Sequence, residues 1–204
     1  MTDVFDAPDV LLYEHRGAFA VRHRYEIVLP DGTPAAAVEE TLGAGGAFFG
    51  RVVSSRYLVQ DVTGVLLAIE RPGSLGKSEF FATWADGRPL GRVRQENSWA
   101  APRFEFALAD GRSGRMTGGG WGSRDWDVAL HTDPRPASLR KPDDEPRRIA
   151  TVHREHRSFD RVLVDADAFA LSTDPTLDRD LRAVLLVGVV ALDAVRDARK
   201  NSGD

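Results

Sequence analysis

The chain has 204 residues, 42% of them hydrophobic, with a net charge of −4 and a pI near 5.8. That balance suits a single soluble domain over 1–204 and excludes the basic footprint of a general nucleic-acid binder. There is no cysteine, which excludes disulfides, thiolate nucleophiles and cysteine metal sites.

Residues 1–8 read as a flexible tail. The N-terminus, MTDVFDAPDVLLYEH, is acidic and lacks a long apolar run after a basic start. No signal peptide is therefore expected, and the cytoplasm is the default compartment. From Val10 to His15 the pattern fits a strand, and beyond it the chain repeats itself. Tyr25 precedes Gly32 by seven residues, as Tyr57 precedes Gly64, Phe80 precedes Gly87 and Phe104 precedes Gly111. A fifth copy runs from Trp126 to Asp133, with Asp-Pro in place of the glycine turn. Asp31, Asp86 and Asp110 each precede one of these glycines, and Asp-Gly between alternating runs is a strong hairpin signal. The aromatic of each first strand shares a face with positions two and four further on. Tyr25/Ile27/Leu29, Phe80/Ala82/Trp84, Phe104/Phe106/Leu108 and Trp126/Val128/Leu130 should therefore point inward. In the second copy Asp61 interrupts that face, and a bulge is expected there.

The turns are 32, 23, 24 and 22 residues apart, too close for helical crossovers. Five hairpins supply ten strands, and Val10–His15 with Val162–Leu171 supply two more; a sheet that long tends to close. Glycine clusters at Gly43 to Gly50 and Gly118 to Gly122 fall between hairpins, and prolines mark a surface loop over about 133–148. The last element is a helix over about 175–199, with Asp174 as N-cap and Pro175 at the first helical position. Ala183 to Leu192 are ten uninterrupted apolar positions, which cover every face of that helix. Ten is about half of the roughly 20 a membrane span needs, so the helix should lie enclosed in the barrel, with no transmembrane span.

The segment Asp165 to Asp193 resembles the stretch that leads into the C-terminal helix of phospholipid scramblases. It keeps Asp165, Asp167, Phe169, Leu177, Asp178 and the Ala183-Val184 pair after a basic residue. RPLGRVRQ at Arg88 to Gln95 and RIATVHRE at Arg148 to Glu155 are similar to scramblases and to plant LURP-one-related proteins. These proteins belong with the tubby C-terminal domain. The resemblance, over residues 20 to 200, implies a mainly β protein: a twelve-stranded antiparallel closed barrel around a central buried hydrophobic C-terminal helix. It also implies contact with phospholipid or phosphoinositide headgroups. The chain departs from animal scramblases in lacking their proline-rich N-terminal region and palmitoylated cysteines.

No catalytic residue or cofactor is expected, and the candidate chemistry is a lipid-headgroup surface. Between Arg88 and Arg124 seven arginines face three acids. Arg92 and Arg94 should share the outer face with Val93 inward, Arg103 should open the neighbouring strand, and Arg112 and Arg115 should flank the turn at Gly111. Forked guanidinium groups there suit the phosphates of anionic phospholipid headgroups. The scramblase resemblance places a calcium loop from Asp165, with Asp165 and Asp167 as the matching ligands. Ala170 and Thr176 stand where such a loop wants Gly and a bidentate Glu, so no metal is expected there. His153 and His156 are three apart on a strand and point to opposite faces, against a metal pair. GAGGAFFG is not followed by the helix of a phosphate cradle, and Ser113 sits at a turn rather than in a G-x-S-x-G elbow. The expected function is a non-catalytic phospholipid- or phosphoinositide-binding or interaction module, cytoplasmic and at most peripheral to the membrane. The alternatives are a true lipid scramblase and a small-ligand-binding barrel.

Overall fold

A computed structural model describes residues 3–15, 23–42, 54–73, 77–97, 101–131, 146–158 and 165–200. Twelve strands run in chain order: β1 (Asp9–Glu14), β2 (Arg24–Val28), β3 (Pro34–Leu42), β4 (Ser55–Asp61), β5 (Gly64–Arg71) and β6 (Glu79–Trp84). They continue as β7 (Pro89–Asn97), β8 (Arg103–Leu108), β9 (Ser113–Gly118), β10 (Asp125–Leu130), β11 (Arg147–Ser158) and β12 (Asp165–Thr173). Each pairs antiparallel with its sequence neighbours, and β1 pairs with β12 to close the barrel. Closure leaves no sheet edge unpaired.

The single helix among the described residues, α1 (Arg179–Lys200), fills the barrel. Every residue from Ala183 to Leu192 is buried, as ten apolar positions on all faces require. Tyr25, Ile27, Phe80, Ala82, Trp84, Phe104, Phe106, Leu108, Trp126 and Val128 point inward onto it. Gly188 faces Met116, where a Cβ would meet the Met116 methyl at 2.7 Å, so the helix and β9 can approach closely. Gly32, Gly87 and Gly111 sit in turns between antiparallel strands with φ of +83°, +86° and +93°, and Gly64, with φ of +130°, opens β5 directly after the turn at Val62 and Thr63. The bulge expected near Asp61 falls between Val59 and Gln60.

Two expectations need correction. The helix begins at Arg179 rather than 175: Asp174 instead closes a turn, accepting from the Thr176 N–H at 2.9 Å. Asp178 is the real N-cap, its carboxylate accepting the Leu181 N–H at 2.9 Å. Nor do residues 3–8 form a flexible tail. Val4 and Phe5 are buried, and the Phe5 ring packs edge-on against Trp84 at 5.2 Å. Arg179 lies over both rings and pairs with Asp3 at 2.6 Å, so residues 3–8 plug the end of the barrel where α1 starts. The turn expected at Asp133 and most of the loop over 133–148 lie outside the described residues, as do residues 43–50.

Candidate functional site

At the end of the barrel where α1 finishes, the inner face turns polar. Glu14 continues the inward set of Val10 and Leu12, and Arg71 follows Leu67 and Ile69. Gln95 follows Val93, Ser78 precedes Phe80, Arg154 follows Val152 and Asp167 precedes Phe169 on the same parity. Of these, Glu14, Ser78, Gln95 and Asp167 are buried. Of this set Asp167 pairs with Arg196 on α1, and Arg71 and Gln95 both reach Ser78.

At the centre stand Asp193 and Asp197, four apart and therefore on one face of the helix, both buried. Tyr25 donates its hydroxyl to Asp193 Oδ2 at 2.6 Å. The other oxygen, Oδ1, is buried with no hydrogen bond among the described residues; Arg196 Nη1 is 3.8 Å away. Glu14 ends β1 and His23 precedes β2, which brings His23 Nδ1 to 3.1 Å from Glu14 Oε1 and 3.9 Å from Asp197 Oδ2. Glu40 at the end of β3 accepts the His23 N–H at 3.0 Å. The His23 ring stacks on Tyr25, with centroids 6.2 Å apart. Arg196 reaches Asp167 at 2.7 Å, and Lys200 approaches both Asp167 and Asp197, at 3.9 and 3.7 Å.

The electrostatics follow from burial. Removal from water raises the Asp193 carboxyl pKa to about 7, and the nearby Glu14 and Asp197 carboxylates push in the same direction. Burial lowers the pKa of His23, but Glu14, Glu40 and Asp193 outweigh it and the net shift is upward. Burial and the Asp193 charge raise the Tyr25 hydroxyl well above its usual range. Burial, with Arg196 next to it, lowers the pKa of Arg154. Carboxylates at the C-terminal end of a helix also oppose its dipole. The arrangement therefore gathers carboxyl groups that burial and the helix dipole both disfavour as anions, with Arg196 and Lys200 as the cations beside them.

The outer arginines are differently disposed. Arg92, Arg94 and Arg103 are exposed and Val93 is buried, as the parity requires. Each of the first two already has acidic company: Arg92 lies 3.3 Å from Glu79, and Arg94 lies 3.8 Å from Glu96 and 3.7 Å from Glu105. Arg115 stands opposite Glu105 in the β8–β9 register, so cations and acids alternate across the strands. Arg112 turns away to Asp110 and to Asp178 at the start of α1. The five arginines do not converge on one point.

Asp165 and Asp167 lie within the paired strand β12, not in a loop, and Asp167 is committed to Arg196. His153 pairs with Asp125 at 2.6 Å, and the side chain of His156 lies outside the described residues. No helix among the described residues is long and apolar enough to cross a membrane. A scan against protein-family models, a search of curated proteins and a search of solved structures each return no match for this chain.

Reading the sequence missed the polar mouth. Its signal was present in Asp193 and Asp197, since a helix enclosed on all sides carries the acids of its last two turns inside with it.

Proposed function

We propose that the protein is a non-catalytic binding barrel that takes its ligand at the polar mouth around the end of α1. The observation that carries this reading is Asp193, a fully buried carboxylate with one oxygen left without a hydrogen bond among the described residues. Leaving such a group unmet costs stability, so a barrel selected for stability alone has no use for it. The test is unfolding of Asp193→Asn in urea at pH 8 with a chelator present. Asn still accepts from Tyr25 but carries no charge, and the variant should unfold at higher urea than the wild type. A lower midpoint makes Asp193 a structural acceptor and removes the basis for a site here.

A second reading keeps the cytoplasmic, membrane-peripheral module that recognises anionic phospholipid headgroups. Its support is Phe81, an exposed aromatic on the outer face directly across from Arg92 in the β6–β7 register. An aromatic beside cations suits a headgroup boundary, and each basic residue near an anionic surface contributes about 1 kcal/mol before salt screening. Against it stands the alternation of acids with Arg92, Arg94 and Arg115. Sedimentation with phosphatidylserine vesicles at low salt, compared with phosphatidylcholine, decides this reading. Binding that is lost in Arg92→Glu with Arg94→Glu supports the outer face over the mouth. Lipid scrambling by the helix would require Ala183 to Leu192 to leave the barrel they fill.

A further inference from the structure

We propose that Glu14, His23, Asp193 and Asp197 form a binding site for one first-row divalent cation, with zinc and manganese the best fits. The inference rests on the mouth being the ligand site and names the ligand it takes. One donor atom from each of the four residues lies within 4.8 Å of all the others. Around a cation with bonds of about 2.1 Å, tetrahedral ligands stand about 3.4 Å apart. The His23 to Glu14 distance of 3.1 Å already meets that spacing, and His23 to Asp197, at 3.9 Å, needs a small closure.

Proximity of acids alone would not make a site; the Asp193 carboxylate supplies the second observation. It is wholly buried, and its Oδ1 has no hydrogen bond among the described residues. A buried carboxylate oxygen left in that condition is stabilised by a positive charge brought to it. The cations nearby, Arg196 and Lys200, stop at 3.8 Å from Asp193 and 3.7 Å from Asp197 and also serve Asp167.

The donor set decides which ion. Three carboxylates and one imidazole nitrogen suit zinc or manganese, whereas calcium prefers six to eight oxygens and magnesium a near-octahedral oxygen shell. Three ligands come from regular elements, Glu14 from the end of β1 and Asp193 and Asp197 from successive turns of α1, and His23 immediately precedes β2. Tyr25, bonded to Asp193 Oδ2, orients that carboxylate from behind. For His23 Nδ1 to bind a metal it must carry no hydrogen, so the ring binds as the neutral Nε2–H tautomer.

The experiment is calorimetric titration of the full, chelator-stripped protein with zinc chloride and with manganese chloride, using calcium and magnesium chloride as controls. The expected result is one zinc or manganese ion per chain and a rise in Tm on loading. Asp193→Asn and His23→Gln should each weaken binding at least by the 10–100-fold that loss of an outer partner costs. His23 is part-exposed at the mouth, so its variant reads out binding even if a change at Asp193 disturbs folding. Absence of binding by zinc and manganese, or binding unchanged in both variants, overturns the inference. If no ion binds while Asp193→Asn is the more stable protein in urea, the cation is wrong and the mouth keeps another ligand. If no ion binds and Asp193→Asn is the less stable, the mouth reading falls with it.

Discussion

Where α1 begins, the barrel is closed by Phe5, Trp84, Leu90 and Leu108 inside, and its charges stay at the rim in complementary pairs. Arg88 with Asp180, Arg112 with Asp178, Arg147 with Asp174 and Arg179 with Asp3 all place acids where the helix dipole favours them. Where α1 ends, the polar groups are inside, and the acids Asp193 and Asp197 oppose the same dipole. The two ends differ in where their charged groups lie, with the same helix and the same strands running through both. One end keeps them in pairs at the rim, although Trp84 Nε1 and Arg182 Nε are buried there without a hydrogen bond among the described residues, and the other gathers carboxylates inside. Local conflict of this kind, held in place by an otherwise consistent fold, is expected at functional or strained sites, which is the ground for the proposal made for this mouth.

That contrast can be broken by substitution. The largest effect is expected in the shared middle: Leu186→Asp puts an unpaired carboxylate into a fully enclosed helix. Its cost of several kcal/mol, against a total stability of roughly 5–15, should abolish cooperative unfolding in circular dichroism. Phe5→Ala at the apolar end should cost about 3–5 kcal/mol by denaturant unfolding. If it costs nothing, residues 3–8 are not a plug. At the polar end Arg196→Met leaves the buried Asp167 without its closest cation and should cost about 3–5 kcal/mol.

Acid and base should separate the two ends. Between the ordinary carboxyl value of 3.8 and about 7, native Asp193 keeps a proton that the unfolded chain has released. Its contribution therefore makes metal-free wild-type protein less stable as pH rises through that window, by up to about 4 kcal/mol. Asp193→Asn should lack this slope. Asp174 behaves in the opposite sense: hydrogen bonds from Thr176, with Arg147 beside it, hold its carboxyl at about 2. The stability it contributes is present above 3.8 and lost as pH falls toward about 2. Asp174→Ala should lower Tm only slightly at neutral pH, and the difference should vanish in strong acid. This is the smallest effect of the set.

How much of this was legible in the sequence differs between the two ends. The barrel and its helix were, because alternation along each strand and ten apolar positions in one helix are local signals. Val93 inward between two outward arginines was correct for the same reason. Glu96, Glu105 and Asp110, the three acids set among those arginines in the sequence, do pair with Arg94 and Arg112, whereas Glu79 reaches Arg92 only through the β6–β7 register, which no single segment carries. The polar mouth escaped because Glu14, Arg71, Gln95, Arg154 and Asp167 come from separate strands. Each alone looks like the solvated end of its strand, and only closure of the barrel gathers them. The capping error at Asp174 has a simpler origin, since Asp-Pro suits a turn as well as a helix start.

The most direct measurement is the carbon-13 chemical shift of the Asp193 carboxyl, followed by NMR against pH in metal-free protein and identified by its absence in Asp193→Asn. A buried carboxylate with an unmet oxygen should titrate near 7. A midpoint at the ordinary value of 3.8 would mean that Asp193 is solvated or fully compensated, and the polar mouth would then be no more a site than the rim at the other end.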